Sequence, residues 1–444
     1  MTGEAIEPGV DFGRLVRASG VEVAEPSTVG ELTATVRAAG VERRSLAVRG
    51  FALSQGGQSL PATSRLLSLH RLAAVGDVDA ASETIECQAG ATWRQVLRRT
   101  LEHGLVPVVL PNNLDLSVGG TLSVGGIGAN SHRHGPIVAH VQGLAVVTGE
   151  GSVVGCSRRE HPDLFAAVLG GVGAFGVIAH ATLALRRTRR FVRVTRLLFD
   201  DISAWVEAQT ALSREGVHEH LEGGCVSAGG DRWRFVLAVG REHDDVSAEG
   251  PTLVARGAVL EDGGNVDCHQ FWARSDPRFD ALRRSGQWAM AHPWVDAFVP
   301  LAQATEIVPA VLRSLPPDLA DGMRLLGVRG GGLPRFLAAP PTSELACIAI
   351  VPPGISGDLD ASLAALTRAH DLIVSSGGKR CLSGWLGAMG SRGWRDHLGP
   401  QFHAWVTARQ QYDPRGVFDS AFLRAVAPCA AESMDGASTS DANS

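Results

Sequence analysis

Cysteine is scarce and poorly placed for cross-linking. The seven residues, Cys87, Cys156, Cys225, Cys268, Cys347, Cys381 and Cys429, are scattered and odd in number, and no CxxC pair occurs. Neither a disulfide framework nor a zinc centre is expected from that spacing. His132 and His134 lie two apart in a glycine-rich stretch with no carboxylate beside them, so backbone-bonded or solvated histidine is expected there, with no metal. An excess of positive charge is also lacking. Lys and Arg number 41 against 46 Asp and Glu, a net charge of −5, which excludes the electrostatic footprint of a nucleic-acid partner. No run approaches the roughly 18 apolar residues of a spanning helix. The first twenty residues carry acids where a secretory signal would be basic, and no apolar run follows them. A cytoplasmic protein without a membrane partner is expected; oligomeric state is not legible.

What is present is enough chain for two cores. A length of 444 residues exceeds what one core serves, and 45% hydrophobic with 20% charged residues is a globular balance. The N-terminal third alternates strands and helices. Thr28 and Glu31 have capping-box spacing ahead of a helix that Gly40 should stop; a strand over 45–49 runs into FALSQGGQS; a strand near 84–88 leads to a second capping box, Thr92 and Gln95, and the helix WRQVLRRTLEHG. HVQGLAVVTGEGSVVGCS reads as a hairpin with its tip at 148–151, and GVIAHATLALRR as a further strand. After about residue 190 longer mixed segments begin a new sheet. GWRDHLGPQFHAWVTARQQYDP reads as helical until Tyr412, where Asp413 and Pro414 break it.

Two glycine-rich stretches, 49–59 and 117–130, follow or border strands. Successive backbone N–H groups in such turns can converge on a diphosphate without any Lys or Arg, while Ser, Thr and Gln add neutral donors; tight structural turns are the alternative. A third run, Gly171, Gly173 and Gly176, matches GxGxxG in letters only. It follows the helical PDLFAAVLG and enters a strand, the reverse of a dinucleotide fingerprint.

LSVGGTLSVGGIGANSHRHGP, VVTGEGSVVGCS and DLFAAVLGGVGAFGVI together resemble the flavin domain of cytokinin dehydrogenases, within the vanillyl-alcohol-oxidase class that carries PCMH-type FAD-binding domains. HPWVDAFVP is similar to that family's substrate domain, and WRDHLGPQFHAWVTARQQYDP to its C-terminal return. The resemblance implies an α+β, two-domain fold: an FAD-binding domain over 1–190 with a return over 391–427, a central antiparallel-sheet substrate or cap domain over 191–390, and a disordered tail over 428–444. It implies that Arg49, Gly50, Phe51, Ala52, Leu53, Ser54 and Gln58 line the diphosphate loop. Ser117, Gly120, Thr121, Ser123 and Ile127 would form a second flavin loop, and Ile178 would approach the adenine half through its backbone.

Three departures from the family pattern stand out. Leu53 occupies the register of a histidine that family members join covalently to the flavin, so non-covalent FAD is expected. Asn112 stands where the family places an aspartate that accepts the substrate proton, and an amide has no useful basicity. Asn112 could orient substrate instead, with Asp115, His292 or Asp296 as the replacement base. Residues 418–422 replace the family's Ser-Pro-Gly-Gln near the flavin, and Trp294 and Trp385 are candidate aromatic walls. The expected function is an FAD-dependent oxidoreductase of specialised metabolism that takes hydride from a carbon bearing nitrogen or oxygen in a small molecule other than cytokinin. The competing readings are a flavin-dependent cyclase or rearrangement enzyme without net redox, and a cofactor-free binding protein.

Overall fold

Three sheets account for the chain's alternating segments. The computed structural model describes residues 6–229, 232–245, 253, 255–387 and 389–426, so Cys429 and the tail expected over 428–444 lie outside the described residues. The first sheet is parallel, with Arg65–Ser68 central between Glu22–Ala24 and Ala47–Arg49. Helix Val29–Glu42 makes the crossover. Thr28 Oγ1 caps it by accepting the Glu31 N–H at 3.1 Å, and the Glu31 carboxylate reaches the Ser27 N–H at 2.7 Å. Gly40 does not end this helix. It is buried in the last turn, facing Val417, and the cap is Arg43 in the left-handed region at φ 52°. A small residue is needed there because the C-terminal return passes close by, with Leu46 N–H donating to Val417 O and Asp419 N–H to Leu46 O.

The second sheet has six antiparallel strands, Val75–Asp79, Thr84–Gln88, Val177–Arg187, Val141–Val147 and Val153–Ser157, with Leu105–Pro107 pairing to Val177–Arg187. The capping box at Thr92 and Gln95 forms as expected, and helix Trp93–Leu101 buries Trp93, Val96, Leu97 and Thr100, one face at helical spacing. The hairpin of Val141–Val147 and Val153–Ser157 also forms, with Thr148 N–H closing onto Ser152 O. Trp394, Phe402, Trp405 and Phe418 of the C-terminal return join the same core as Leu32 and Trp93. The stretch expected to be helical up to Tyr412 is two helices, Gly390–Leu398 and Phe402–Tyr412, broken at Gly399 and Pro400, and a third, Ala421–Val426, follows in the return.

The third sheet is antiparallel and eight-stranded. In spatial order its strands are Val259–Asp267, Phe191–Phe199, Trp233–His243, His220–Ser227, Arg324–Arg329, Glu344–Ile350, Val295–Pro300 and Lys379–Arg380. Helices Ile202–Glu215, Ala304–Ser314 and Leu359–Ser375 cover one face through Trp205, Ile307, Val308, Leu366 and Ile373. Period-two alternation then decides what the other face shows. Val295, Ala297 and Val299 point to the helices, so Asp296 and Phe298 point away; Leu221, Leu325 and Ile348 do the same for Glu222, Arg324, Leu326, Cys347 and Ala349. The architecture is α+β, and among the described residues no helix is long and apolar enough to cross a membrane.

Candidate active site

A cavity of about 530 Å³ lies between the glycine stretches and this open face of the eight-stranded sheet. Gly50, Phe51, Ala52, Leu53, Ser54 and Gln58 line it from the first stretch. The carbonyls of Ala52 and Ser54 turn outward to accept the Phe12 and Gly13 N–H groups at 2.8 and 3.2 Å. Among the described residues, nothing in the chain accepts the N–H groups of residues 51–55, while Gly56 and Gly57 donate to Gln58 Oε1 and Asp11 Oδ2. Ala52 sits at φ 61°, a conformation that persists only where its surroundings hold it. Asp11 does much of the holding. It is fully buried and also accepts from the Ser54 hydroxyl at 3.1 Å and the Arg14 N–H at 3.2 Å. Burial raises its carboxyl above the usual range despite the hydrogen bonds from Gly57 and Ser54.

The second stretch behaves differently from its expectation. Ser117, Gly120, Thr121, Ser123 and Ile127 do line the cavity, but the first half of this stretch is a helix, Val118–Val124, and its first amides are already engaged. Val118 and Gly119 N–H donate to Ala91 O and Ala89 O; those of Gly120 and Thr121 go to Ser117 Oγ and Ser117 O. The start of this stretch therefore offers hydroxyl oxygens and clearance, whereas the N–H groups of residues 125–127, with Gly126 and Ile127 in the lining, have no acceptor among the described residues. The clearance is specific: a Cβ on Gly50 would stand 2.1 Å from Ser117 Oγ, where the two stretches meet. Ile178 lines the far end with Val172, Gly173 and Gly176 of the GxGxxG run, which follows helix Pro162–Val168 and enters a strand as expected.

Several expected site residues stand outside the cavity. Arg49 is buried and spends its guanidinium on the carbonyls of Ile6, Glu7, Pro8 and Val10, which pins the N-terminal segment behind the loop; burial pushes its pKa down to about 10. Asp115 is half-exposed and paired to Arg94 at 2.7 Å. His292 is fully buried, stacked on Phe12 at 3.9 Å between ring centroids, and burial pushes its pKa down to about 4. Trp385 packs on the helix-covered side of the eight-stranded sheet, whereas Trp294 is in the wall. Residues 418–422 do not line the cavity; Phe418 N–H is held by Asp413 Oδ2, and Asp419 pairs with Arg424. His132 is backbone-bonded, to Ala129 O and His218 O, as its context implies.

The cap end carries the charge. Asn112 is clamped, its Oδ1 accepting from Arg274 Nη2 at 2.7 Å and its Nδ2 donating to Glu222 Oε1 at 3.1 Å. Arg274 also donates to Glu222 Oε2 from Nε and Nη2, at 3.2 and 2.9 Å, and Arg324 Nε stands 3.8 Å from Glu222 Oε1. Burial opposes ionisation of Glu222, but Arg274, Arg324 and Arg278 outweigh it and hold the carboxyl below its usual range. Among the described residues Asp296 has one side-chain hydrogen bond, from Ser383 Oγ at 3.3 Å, and burial raises its pKa to about 6. Sequence reasoning missed Asp11, Glu222, Arg274, Arg278 and Arg324; only the strand alternation of the cap sheet could have pointed any of them inward.

The profile of the FAD binding domain family matches residues 22–157. An oxidoreductase of the fasciation locus of Rhodococcoides fascians, described as uncharacterised, is 30% identical over 417 residues, 91% of this chain and 94% of that protein. Cytokinin dehydrogenase 6 of rice, Oryza sativa subsp. japonica, is 30% identical over 473 residues, 92% of this chain and 87% of the relative. The chain belongs to the cytokinin dehydrogenase family. Cytokinin dehydrogenase 2 of Arabidopsis thaliana extends the likeness at 29% identity over 71% of this chain and 70% of its own length. As a member of the cytokinin dehydrogenase family, the protein is a divergent FAD-dependent oxidoreductase with a two-domain PCMH-type fold. The residues present fit FAD: free amides at 51–55, neutral hydroxyls at Ser54, Ser59 and Ser117, and glycine clearance where the stretches meet.

Proposed function

We propose that the protein oxidises a small-molecule amine or alcohol other than cytokinin by hydride transfer to non-covalently held FAD, in the cytoplasm. Residues 1–190 with 391–427 form the cofactor domain and 191–390 the cap. The observation that carries this reading is a single cavity with one wall of backbone and hydroxyls and a facing wall that presents a carboxyl, Asp296, outside any ion pair among the described residues. Leu53 lines the first wall, and among the described residues no histidine lines either wall, so the chain offers no imidazole for a covalent link there. Bound FAD supplies the hydride acceptor.

The chain's own residues divide the rest of the work. Asn112 cannot take a proton, and its amide is fixed in orientation by Arg274 and Glu222, so it positions substrate. Asp296 takes the amine or hydroxyl proton: it is on the open sheet face, and with a pKa raised to about 6 it is ionised near neutrality yet more basic than a solvated aspartate. Ser383 steadies the charged form. Phe279, Trp288, Trp294 and Phe298 keep water from this end.

Acid precipitation of the purified holoprotein tests the cofactor link: FAD should pass wholly into the supernatant, and yellow colour left in the pellet contradicts it. Anaerobic addition of a panel of amines and alcohols should bleach the bound flavin. A panel that leaves the spectrum untouched removes the redox assignment for those substrate classes.

A further inference from the structure

The charge balance of the cap wall is uneven. Among the described residues five charged side chains line the cavity, and three are arginines: Arg274, Arg278 and Arg324 against Glu222 and Asp296. Glu222 is shared between Arg274 and Arg324. Asp296 lies in no ion pair with any of the three among the described residues, and its raised pKa leaves it partly protonated around pH 6. Arg278 is left over. Its Nη2 donates to Val351 O and its guanidinium lies 5.8 Å from the centre of the Trp294 ring, but among the described residues it pairs with no carboxylate. Burial and repulsion by Arg324 push its pKa down to about 10, with Glu222 and Asp321 offsetting only part of that.

A guanidinium half-buried in a cavity wall without a counter-ion is a ready seat for an anion. Its planar set of donors matches the paired oxygens of a carboxylate or phosphate. We infer that the substrate carries an anionic group, a carboxylate or a phosphate, seated on Arg278 and Arg324 at the cap end of the cavity, with its oxidisable carbon directed towards the glycine stretches. This rests on the proposed oxidation of a small molecule in the same cavity. It adds a reason for the three-arginine wall, since Arg274 and Glu222 are satisfied by each other and by Asn112 whereas Arg278 has donors to spare. The carbonyl of Val351, with the face of Trp294 nearby, orients the Arg278 guanidinium before any ligand arrives.

The test uses FAD-loaded enzyme and two probes, inorganic phosphate and malonate, titrated at constant ionic strength against a chloride control. Trp288 and Trp294 in the wall report binding through their emission, and the flavin spectrum confirms that the cofactor stays bound. Saturable quenching by at least one probe is expected. Phosphate acting alone assigns a phosphorylated substrate, and malonate acting alone a carboxylated one. Arg278→Met should weaken the response by about tenfold or more, the loss of one charge-assisted pair, and Arg278→Lys should restore part of it. Both variants are compared only where circular dichroism and flavin content match the parent. No saturable response in the parent, or equal titrations in the parent and Arg278→Met, overturns the inference while leaving the flavin extraction and bleaching results intact. Failure of those two results instead removes the oxidation reading on its own.

Discussion

The two walls of the cavity are built on opposite principles. The wall from residues 50–59 and 117–127 has no charged side chain: it offers amides, hydroxyls and the space that glycine leaves. The wall from the cap has five charged side chains among the described residues and takes them from strands, a helix and a turn between Glu222 and Arg324. On the proposed function, the difference follows from what each wall would recognise. A cofactor that never changes can be gripped by backbone, whose geometry is fixed by turns. Substrate selection is left to side chains that can be exchanged one at a time without disturbing a strand.

That contrast also decides what was legible in the sequence. The cofactor wall is local: Gly50 to Gln58 is one short segment, and its spacing marks it as a loop that something approaches closely. Capping at Thr92 and Gln95, the strand Thr84–Gln88 and the hairpin after Val141 were readable for the same reason, because the partners are within a few residues of one another. The cap wall is not local. Asn112, Glu222, Arg274 and Arg324 meet only after a sheet of order far from sequence order has formed, so nothing near Arg274 announces Glu222. Even within the cofactor wall the reading had limits. The first SVGG, at 117–120, reads as part of a glycine loop, and it is a helix start where the Val118 and Gly119 amides bond to Ala91 and Ala89, residues it meets through the fold. Arg49 belongs by motif position to the diphosphate loop, but its guanidinium turns to the N-terminal segment, which has no signature of its own.

The division of labour is broken most severely at Asp296. Asp296→Asn keeps the shape and removes the base, so the rate of flavin reduction by substrate should fall roughly 10²- to 10⁴-fold, with FAD content unchanged. The pH dependence follows from the same group. In the parent the reduction rate should rise as pH passes upward through about 6, as the carboxyl ionises, and the variant should lose that limb. Because the folded pKa is raised above the usual 3.8, the native state binds the proton more tightly than the unfolded chain does. Stability contributed by this group therefore falls as pH rises between those two values, and Asp296→Asn should melt higher than the parent at pH 7. A stopped-flow pH profile unchanged by the substitution would place the proton acceptor elsewhere on the cap.

The cofactor wall is broken from behind, at Asp11. Asp11→Ala leaves the donors of Gly57, Ser54 and Arg14 without their acceptor in a buried site, at a cost of about 2–4 kcal/mol of stability. The segment from Ser54 to Gly57 loses its anchor, so the variant should purify with less FAD and bind added FAD more weakly, measured by fluorescence of the released cofactor. Substrate chemistry in the fraction that stays loaded should be nearly normal, since Asp11 touches nothing on the cap wall. A variant that keeps its full flavin but slows in reduction would reverse this assignment.

The smallest effect is expected at Asp115, and it sharpens the contrast from outside. This carboxylate follows the Asn112 position by three residues and looks in sequence like the nearest substitute base. In the fold it faces Arg94, which is also bound to Asp276, and Arg283. Both partners are near the surface, where such pairs contribute little. Asp115→Asn should therefore change the flavin reduction rate by no more than about twofold and leave its pH profile in place. Proximity in sequence to the missing base is not proximity in the cavity: the chain turns between Asn112 and Asp115, so one side chain reaches the cap cluster and the other reaches helix Trp93–Leu101. A large loss of rate at Asp115 with FAD retained would mean that this turn opens during turnover, and the wall assigned to the cap would have to include it.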